Sequence, residues 1–337
     1  MPWWKIIIIA LLVKLVLLGL VIVFFAQKDI PEEIVYGMSF NTMYARELGL
    51  DWQETYDAIL TELGVRHLRL AAHWPMVEPE AGTYNFVELD YQIKKAEEVG
   101  AEVILAVGRR LPRWPECHVP QWAYDIDPQV RNDAQIAYMT AVIERYKGSS
   151  AVKYWQVENE PFLEVFAFEH CGRLDTDFLD AEIELVRTLD PSRQIIVTDS
   201  GNLGLWYGAY SRGDIFGTSV YVHFWNPEIG QFRTLLPAFV YRVKENFLAL
   251  VYGEKPTFLI ELSAEPWLVA PITTVPLEVQ FSRMDVEKFQ DILAYAKDTR
   301  YERQYLWGAE WWYWLLKQGN GEMWEAGQAL YPNARKE

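Results

Sequence analysis

A chain of 337 residues leaves room for one large domain, or for two small ones, once any targeting segment is set aside. Its net charge of −16 disfavours nucleic acid as a partner and is compatible with a neutral one. Aromatic residues reach 15% of the chain, with 15 Trp, many of which are expected in the core.

The first element follows a short tail at residues 1–5. Residues 6–26 read IIIIALLVKLVLLGLVIVFFA, of which 17 are Ile, Leu, Val or Phe and one, Lys14, is charged. At the helical rise this run spans roughly 31 Å, about one hydrocarbon core. Its apolar residues favour insertion by roughly 7 kcal/mol against about 3 for a central Lys, which can snorkel. A transmembrane anchor is expected. The alternative, a cleaved signal peptide, fits less well, because Val23-Phe24-Phe25-Ala26 has no small residue at the −3 position. Lys5 precedes the run and Lys28 and Arg46 follow it, so positive charge is nearly balanced. The short tail favours an amino terminus inside and a body outside.

Residues 27–33 read as a linker, and residues 34–337 as one body. Eight short apolar runs alternate there with amphipathic segments. The expected strands are 34–39, 65–71, 102–106, 152–157, 194–198, 215–221, 257–261 and 304–312. The expected helices are 51–63, 89–99, 131–146, 177–189, 228–251 and 285–299, the first with Asp51 as its cap. Gly64, Gly100 and Gly148 stand where three of these helices should end. Eight strand–helix repeats imply a parallel sheet, most simply a closed (β/α)8 TIM barrel. An open doubly wound sheet would carry a Gly-rich phosphate loop after its first strand, and Gly37-Met38-Ser39-Phe40-Asn41 lacks that fingerprint.

In such a barrel the carboxyl ends of all strands meet at one mouth, so strand tips carry the chemistry. The fourth strand ends in Tyr154-Trp155-Gln156-Val157-Glu158-Asn159-Glu160-Pro161, where Pro161 cannot continue a ladder. The seventh ends in Thr257-Phe258-Leu259-Ile260-Glu261. Two carboxylates on two strand tips are the minimum equipment for breaking a glycosidic bond, and surplus Trp suits stacking on sugar rings. Arg69 lies inside an otherwise apolar second strand, where its charge requires a carboxylate. Tyr221, with His223 beyond it, stands at the sixth strand's tip, and Trp312 in the eighth segment is expected as a floor for a sugar. Glu265 is a rival to Glu261, but it falls in the loop beyond the strand. Glu158 is expected to face away or support the site, and Glu310 to line the pocket or pair with an Arg. Arg109 and Arg110 are expected to brace loops or bind an acidic sugar.

Cys117 and Cys171 each follow a candidate strand at the mouth. One disulfide could tie the two loops; two separate thiols, or a zinc site using His118 and His170, are the alternatives.

These strand tips resemble clan A retaining glycoside hydrolases, the cellulase, mannanase and β-galactosidase-like barrels. The Asn-Glu-Pro ending of strand four is the strongest mark. Arg69 followed by Trp74, the stretch from Trp74 to Phe86, and the spacing from Asp214 to Tyr221 are similar to that clan as well. The resemblance implies Glu160 as acid/base, Glu261 as nucleophile, Tyr221 as the nucleophile's partner, and Arg69 and Asn159 as a supporting pair. Many members carry His or Asn where Ser219 stands, a His near Arg109-Arg110, and an aromatic at the position of Glu158.

The expected function is therefore a retaining O-glycoside hydrolase acting on β-linked oligo- or polysaccharide. It would be anchored by residues 6–26 with its barrel extracytoplasmic, and would need no metal or organic cofactor. A barrel that binds glycans without cleaving them, or a transglycosylase remodelling an envelope polysaccharide, is the alternative.

Overall fold

A computed structural model of the chain describes residues 2–26, 31–268 and 270–331. Residues 27–30 of the expected linker, Lys28 among them, and residues 332–337 lie outside the described residues. Trp3–Phe25 is one helix, long and apolar enough to cross a membrane, a test that a signal sequence also passes.

The barrel strands are β1 (Val35–Ser39), β2 (His67–Ala71), β3 (Glu102–Val107), β4 (Val152–Val157), β5 (Gln194–Asp199), β6 (Ile215–Val220), β7 (Thr257–Ser263) and β8 (Arg303–Trp307). They pair in parallel in the order 1-8-7-6-5-4-3-2, and β1 closes the ring by pairing with both β8 and β2. Parallel strands covered on both faces read as continuous apolar runs, which is why these segments stand out. Ile104, Ile196, Ile215, Phe258, Ile260 and Tyr305 form a separate buried cluster. A larger cluster joins the helices to the sheet.

Several helices start at caps visible in the sequence. The Asp51 side chain accepts from the backbone N–H groups of Gln53 and Glu54 at the start of Trp52–Thr61. Asp127, Asp175 and Asp285 cap Pro128–Tyr146, Thr176–Leu189 and Val286–Asp298 in the same way.

Two expected elements are corrected. The eighth strand ends at Trp307, five residues before Trp312, and Ala309–Lys317 is a helix. Gly308, at φ +123°, turns the chain between them. The segment expected as a helix at 228–251 opens instead as an antiparallel hairpin, His223–Asn226 with Gly230–Arg233, before the helix Phe239–Tyr252. Pro227 and Gly230 (φ +76°) shape its turn, and Pro237 precedes the helix.

Cys117 and Cys171 are disulfide-bonded, so the loop after β3 is tied to the helix Glu164–Cys171 that follows β4. Neither sulfur is then available for the zinc alternative. A cross-link over a sequence separation of 54 is worth about 4 kcal/mol in the chain-entropy description. Replacing both residues by Ser should lower the denaturant midpoint by up to about that amount in free energy, read by comparing equilibrium unfolding of the two forms.

Candidate active site

The tips of β2, β4, β6 and β7 bring their expected residues together. Arg69, with a side chain only 1% exposed, spreads its guanidinium across the mouth. Nε donates to Gln156 Oε1 at 2.8 Å, Nη1 to Glu261 Oε1 at 2.9 Å and Nη2 to Asn159 Oδ1 at 2.6 Å. Tyr221 donates its hydroxyl to the other oxygen of Glu261, Oε2, at 2.9 Å. Burial first, then the charges of Glu261 and Glu160, hold the Tyr221 phenol well above its ordinary pKa, so it remains a donor. Glu261 thus accepts one bond from a cation and one from a phenol, on its two different oxygens. With its oxygen engaged by Arg69, the Asn159 amide presents its NH2 group as a donor.

Glu160 sits in a different environment. It is buried, its backbone N–H donates to Thr198 Oγ1 at 2.8 Å, and its Oε1 is buried without a partner. Burial raises its pKa first, and the negative charge of Glu261 second, to about 8; the Ser219 hydroxyl works against them. One carboxyl is therefore held protonated near neutral pH, beside another that is hydrogen-bonded by a cation and a phenol. That division of labour is what acid and nucleophile require.

The end of β4 is held under strain. Glu158 and Glu160 both lie at positive φ, +55° and +44°. The Glu158 carboxylate compensates by accepting from the backbone N–H groups of Arg109 at 2.8 Å and Arg110 at 2.5 Å, and from Gln135 Nε2 at 3.0 Å. Gln135 also reaches Glu182, whose pKa is raised well above the ordinary value by burial and then by the charge of Glu158. Glu158 is therefore the support that ties the loop after β3 to the β4 tip. Gly108, at φ +123°, lies against it: an added Cβ would stand 2.5 Å from Glu158 Oε1. Gly108→Ala should cost roughly 1–3 kcal/mol in backbone strain alone and lower turnover as the tip shifts, measured by unfolding and by initial rates.

Arg110 braces this region as one of the two expected roles had it. It donates to the carbonyls of Pro161 and Leu163 at 3.4 and 2.6 Å and pairs with Glu116 at 3.0 Å. Glu265, the rival carboxylate, is held by Arg113 in a two-pronged pair at 2.7 and 2.8 Å. Glu310 accepts the Asn41 N–H at 2.6 Å, and burial pushes its pKa to about 7.

Three expected site residues fall elsewhere. Trp312 is fully buried, donates to the Ala264 carbonyl and packs edge-on against Phe289. Trp74 is also fully buried, donating to Glu78 and stacking on Tyr138. Both are core residues, because large indoles at these positions face the helix layer. His223 lies in the hairpin, bonded to Asp291 at 2.9 Å.

Two residues were missed. Trp307 is the last residue of β8, 6.3 Å from Tyr221 between ring centroids, an aromatic at the barrel mouth. Arg113 lies 5.0 Å from the Trp307 ring and 3.2 Å from that of Tyr44 while binding Glu265. It joins the loops after β3 and β7, opposite strands of the ring, and so bridges the mouth. A break at Gly308 is the signal that would have marked Trp307 as a strand end; the Arg113 contact, made by a loop, has no such signal.

Residues 49–135 match the family model Glyco_hydro_42, described as β-galactosidase. Over 135 residues the chain is 27% identical to β-galactosidase Bga of Halorubrum lacusprofundi, covering 33% of this chain and 18% of that protein, under a fifth of its length. Among solved structures, a GH5_18 variant from Bifidobacterium longum subsp. longum in complex with Manβ1-4GlcNAc superposes with a TM-score of 0.61 at 14% identity, covering 90% of this chain and 78% of that one. Xylanase 10B from Thermotoga maritima gives 0.55 at 16% identity, covering 82% and 83%. At such identities the structural likeness is one of fold. The family segment and the curated relative are likenesses to β-galactosidases over part of the chain, the solved structures are alike in fold, and this chain is a closed (β/α)8 barrel.

Proposed function

We propose that the chain is a retaining O-glycoside hydrolase acting on β-linked oligo- or polysaccharide, with Glu160 as acid/base and Glu261 as nucleophile. The observation that carries this reading is the pairing of a buried carboxyl whose pKa is raised to about 8 with a carboxylate held by Arg69 and Tyr221.

In the first step Glu261 attacks the anomeric carbon while Glu160 gives its proton to the leaving oxygen, so the glycosidic bond breaks as a glycosyl ester forms. Formation of the ester removes the negative charge on Glu261, and with it the second cause of the raised Glu160 pKa. Glu160 is then ready to act as base. Water attacks the ester, Glu160 takes its proton, and Glu261 departs with the sugar's configuration retained. Asn159 serves as donor to a sugar hydroxyl, Trp307 as floor and the Arg113–Glu265 pair as wall. Because that pair is internally neutral, the wall suits a neutral sugar.

We further propose that the N-terminal helix anchors the protein with the barrel on the extracytoplasmic side. The Cys117–Cys171 bond supports an oxidising compartment.

The test is a panel of aryl β-galactoside, β-mannoside and β-xyloside, with the anomeric proton of the first-formed product followed by NMR. Turnover of at least one substrate with β-configured product is expected. A folded protein that turns over none, or an α-configured product, contradicts the reading.

A further inference from the structure

The helix Phe239–Tyr252 is inverted relative to a helix on an ordinary water-facing surface. Of its three charged residues, Arg242 and Glu245 are buried against the barrel, paired with each other, with Arg242 also donating to the Thr299 carbonyl and lying over the Tyr301 ring, and half-buried Lys244 donates to the carbonyls of Gly201 and Gly204. Its outer face is apolar and open: Phe247 is 57% exposed, Leu250 71%, Val251 63% and Tyr252 45%. A contiguous apolar patch with charges turned inward marks an interaction surface.

The N-terminal helix identifies the partner. Its last residue, Phe25, lies 6.3 Å from Phe247 between ring centroids, and its carbonyl accepts from Asn246 Nδ2 at 2.6 Å. At its other end stand Trp3, Trp4 and Lys5, residues suited to a membrane–water boundary. The 23 residues between these limits span roughly 34 Å, about one hydrocarbon core. If Trp3 and Trp4 mark one boundary, Phe25 marks the other, and Phe247 touches it.

We propose that the carboxyl half of Phe239–Tyr252 rests in the lipid interface beside the point where the N-terminal helix leaves the bilayer. Phe247, Leu250 and Val251 enter the acyl boundary, and Tyr252 stays at headgroup level. This rests on the reading of Trp3–Phe25 as an anchor. It adds a second attachment that fixes how the barrel stands. The helix ends just before β7 begins at Thr257, at the amino end of the strands, whereas the mouth lies at their carboxyl ends. The mouth therefore opens away from the membrane, and its glycan arrives from the aqueous side rather than from a glycolipid of the same leaflet.

The full chain carrying Leu250→Cys, or Val130→Cys on the helix between β3 and β4 as a control, is labelled with an environment-sensitive fluorophore and reconstituted in phosphatidylcholine vesicles with or without doxyl-labelled lipid. Val130 is 54% exposed, so both labels are accessible to reagent. Emission at 250 should be roughly halved by the doxyl lipid and emission at 130 unchanged, as for a shallow interfacial residue. Equal, negligible quenching at both positions in protein that resists carbonate extraction overturns the proposal and leaves the anchor standing. Quenching at 250 in protein that carbonate releases upholds docking and overturns the anchor reading. A label at 250 shielded from water but insensitive to doxyl lipid assigns the patch to a second copy of the chain and overturns the lipid assignment.

Discussion

Glu261→Gln should abolish turnover, with a loss on the order of 10⁴–10⁶-fold, the range for removing a member of a covalent catalytic unit. The substitution keeps size; its amide oxygen can still accept from Arg69 while its NH2 faces the Tyr221 hydroxyl, which can turn to accept, so the fold should survive. An amide oxygen cannot form the glycosyl ester, and no leaving group rescues that step. The loss should therefore be equally deep with good and poor aryl leaving groups. If activity persisted within tenfold, Glu265 or Glu310 would have to act instead. Their places argue against it: Glu265 is bound on both oxygens by Arg113, and Glu310 accepts a backbone N–H at the start of a helix.

Glu160→Gln should behave differently. General acid–base catalysis contributes about 10²–10⁴-fold, so substrates with poor leaving groups should lose that much. An aryl glycoside with a strongly acidic phenol needs no proton on departure, so it should still form the ester and then stall at hydrolysis. A burst of phenol followed by slow turnover is expected, and added azide, which attacks without a base, should restore the rate. The pH profile supplies a second readout. Glu160 must be protonated in the free enzyme, and its pKa is raised to about 8. The sign is fixed: kcat/KM should hold up to that region and fall tenfold per unit above it, as the acid form is lost. In Glu160→Gln this alkaline limb should vanish.

Much of this arrangement was legible in the sequence, for physical reasons that differ by residue. The strands of a closed parallel barrel are buried on both faces, so they announce themselves as apolar runs between amphipathic ones. Arg69 stood out because a charge in such a run needs a partner, and it has Glu261. Glu160 stood out because it belongs to the Asn-Glu-Pro ending just beyond β4. The aromatic run at 311–314 misled, since large apolar residues suit a buried strand and a buried helix alike; the turn at Gly308 decides between them. That error placed the expected platform at Trp312, which is a buried helix residue. Trp74 and His223 failed for a related reason: which way an indole or imidazole faces depends on packing against distant segments, Tyr138 in one case and Asp291 in the other. Arg113 could not have been found by periodicity, because its contacts with Glu265, Tyr44 and Trp307 join two loops, the short helix Thr42–Glu47 and a strand end.

Trapping the covalent intermediate tests the central assignment most directly. The wild-type chain is incubated with 2-deoxy-2-fluoro-β-glycosyl fluorides of the sugars that it turns over, digested, and its peptides sequenced by mass spectrometry. The fluorine slows both steps while the fluoride leaving group keeps the first one accessible, so ester should accumulate. One glycosyl group on Glu261 is predicted. A label on any other carboxylate, or an intact unlabelled chain that still cleaves the parent glycoside, would contradict the account.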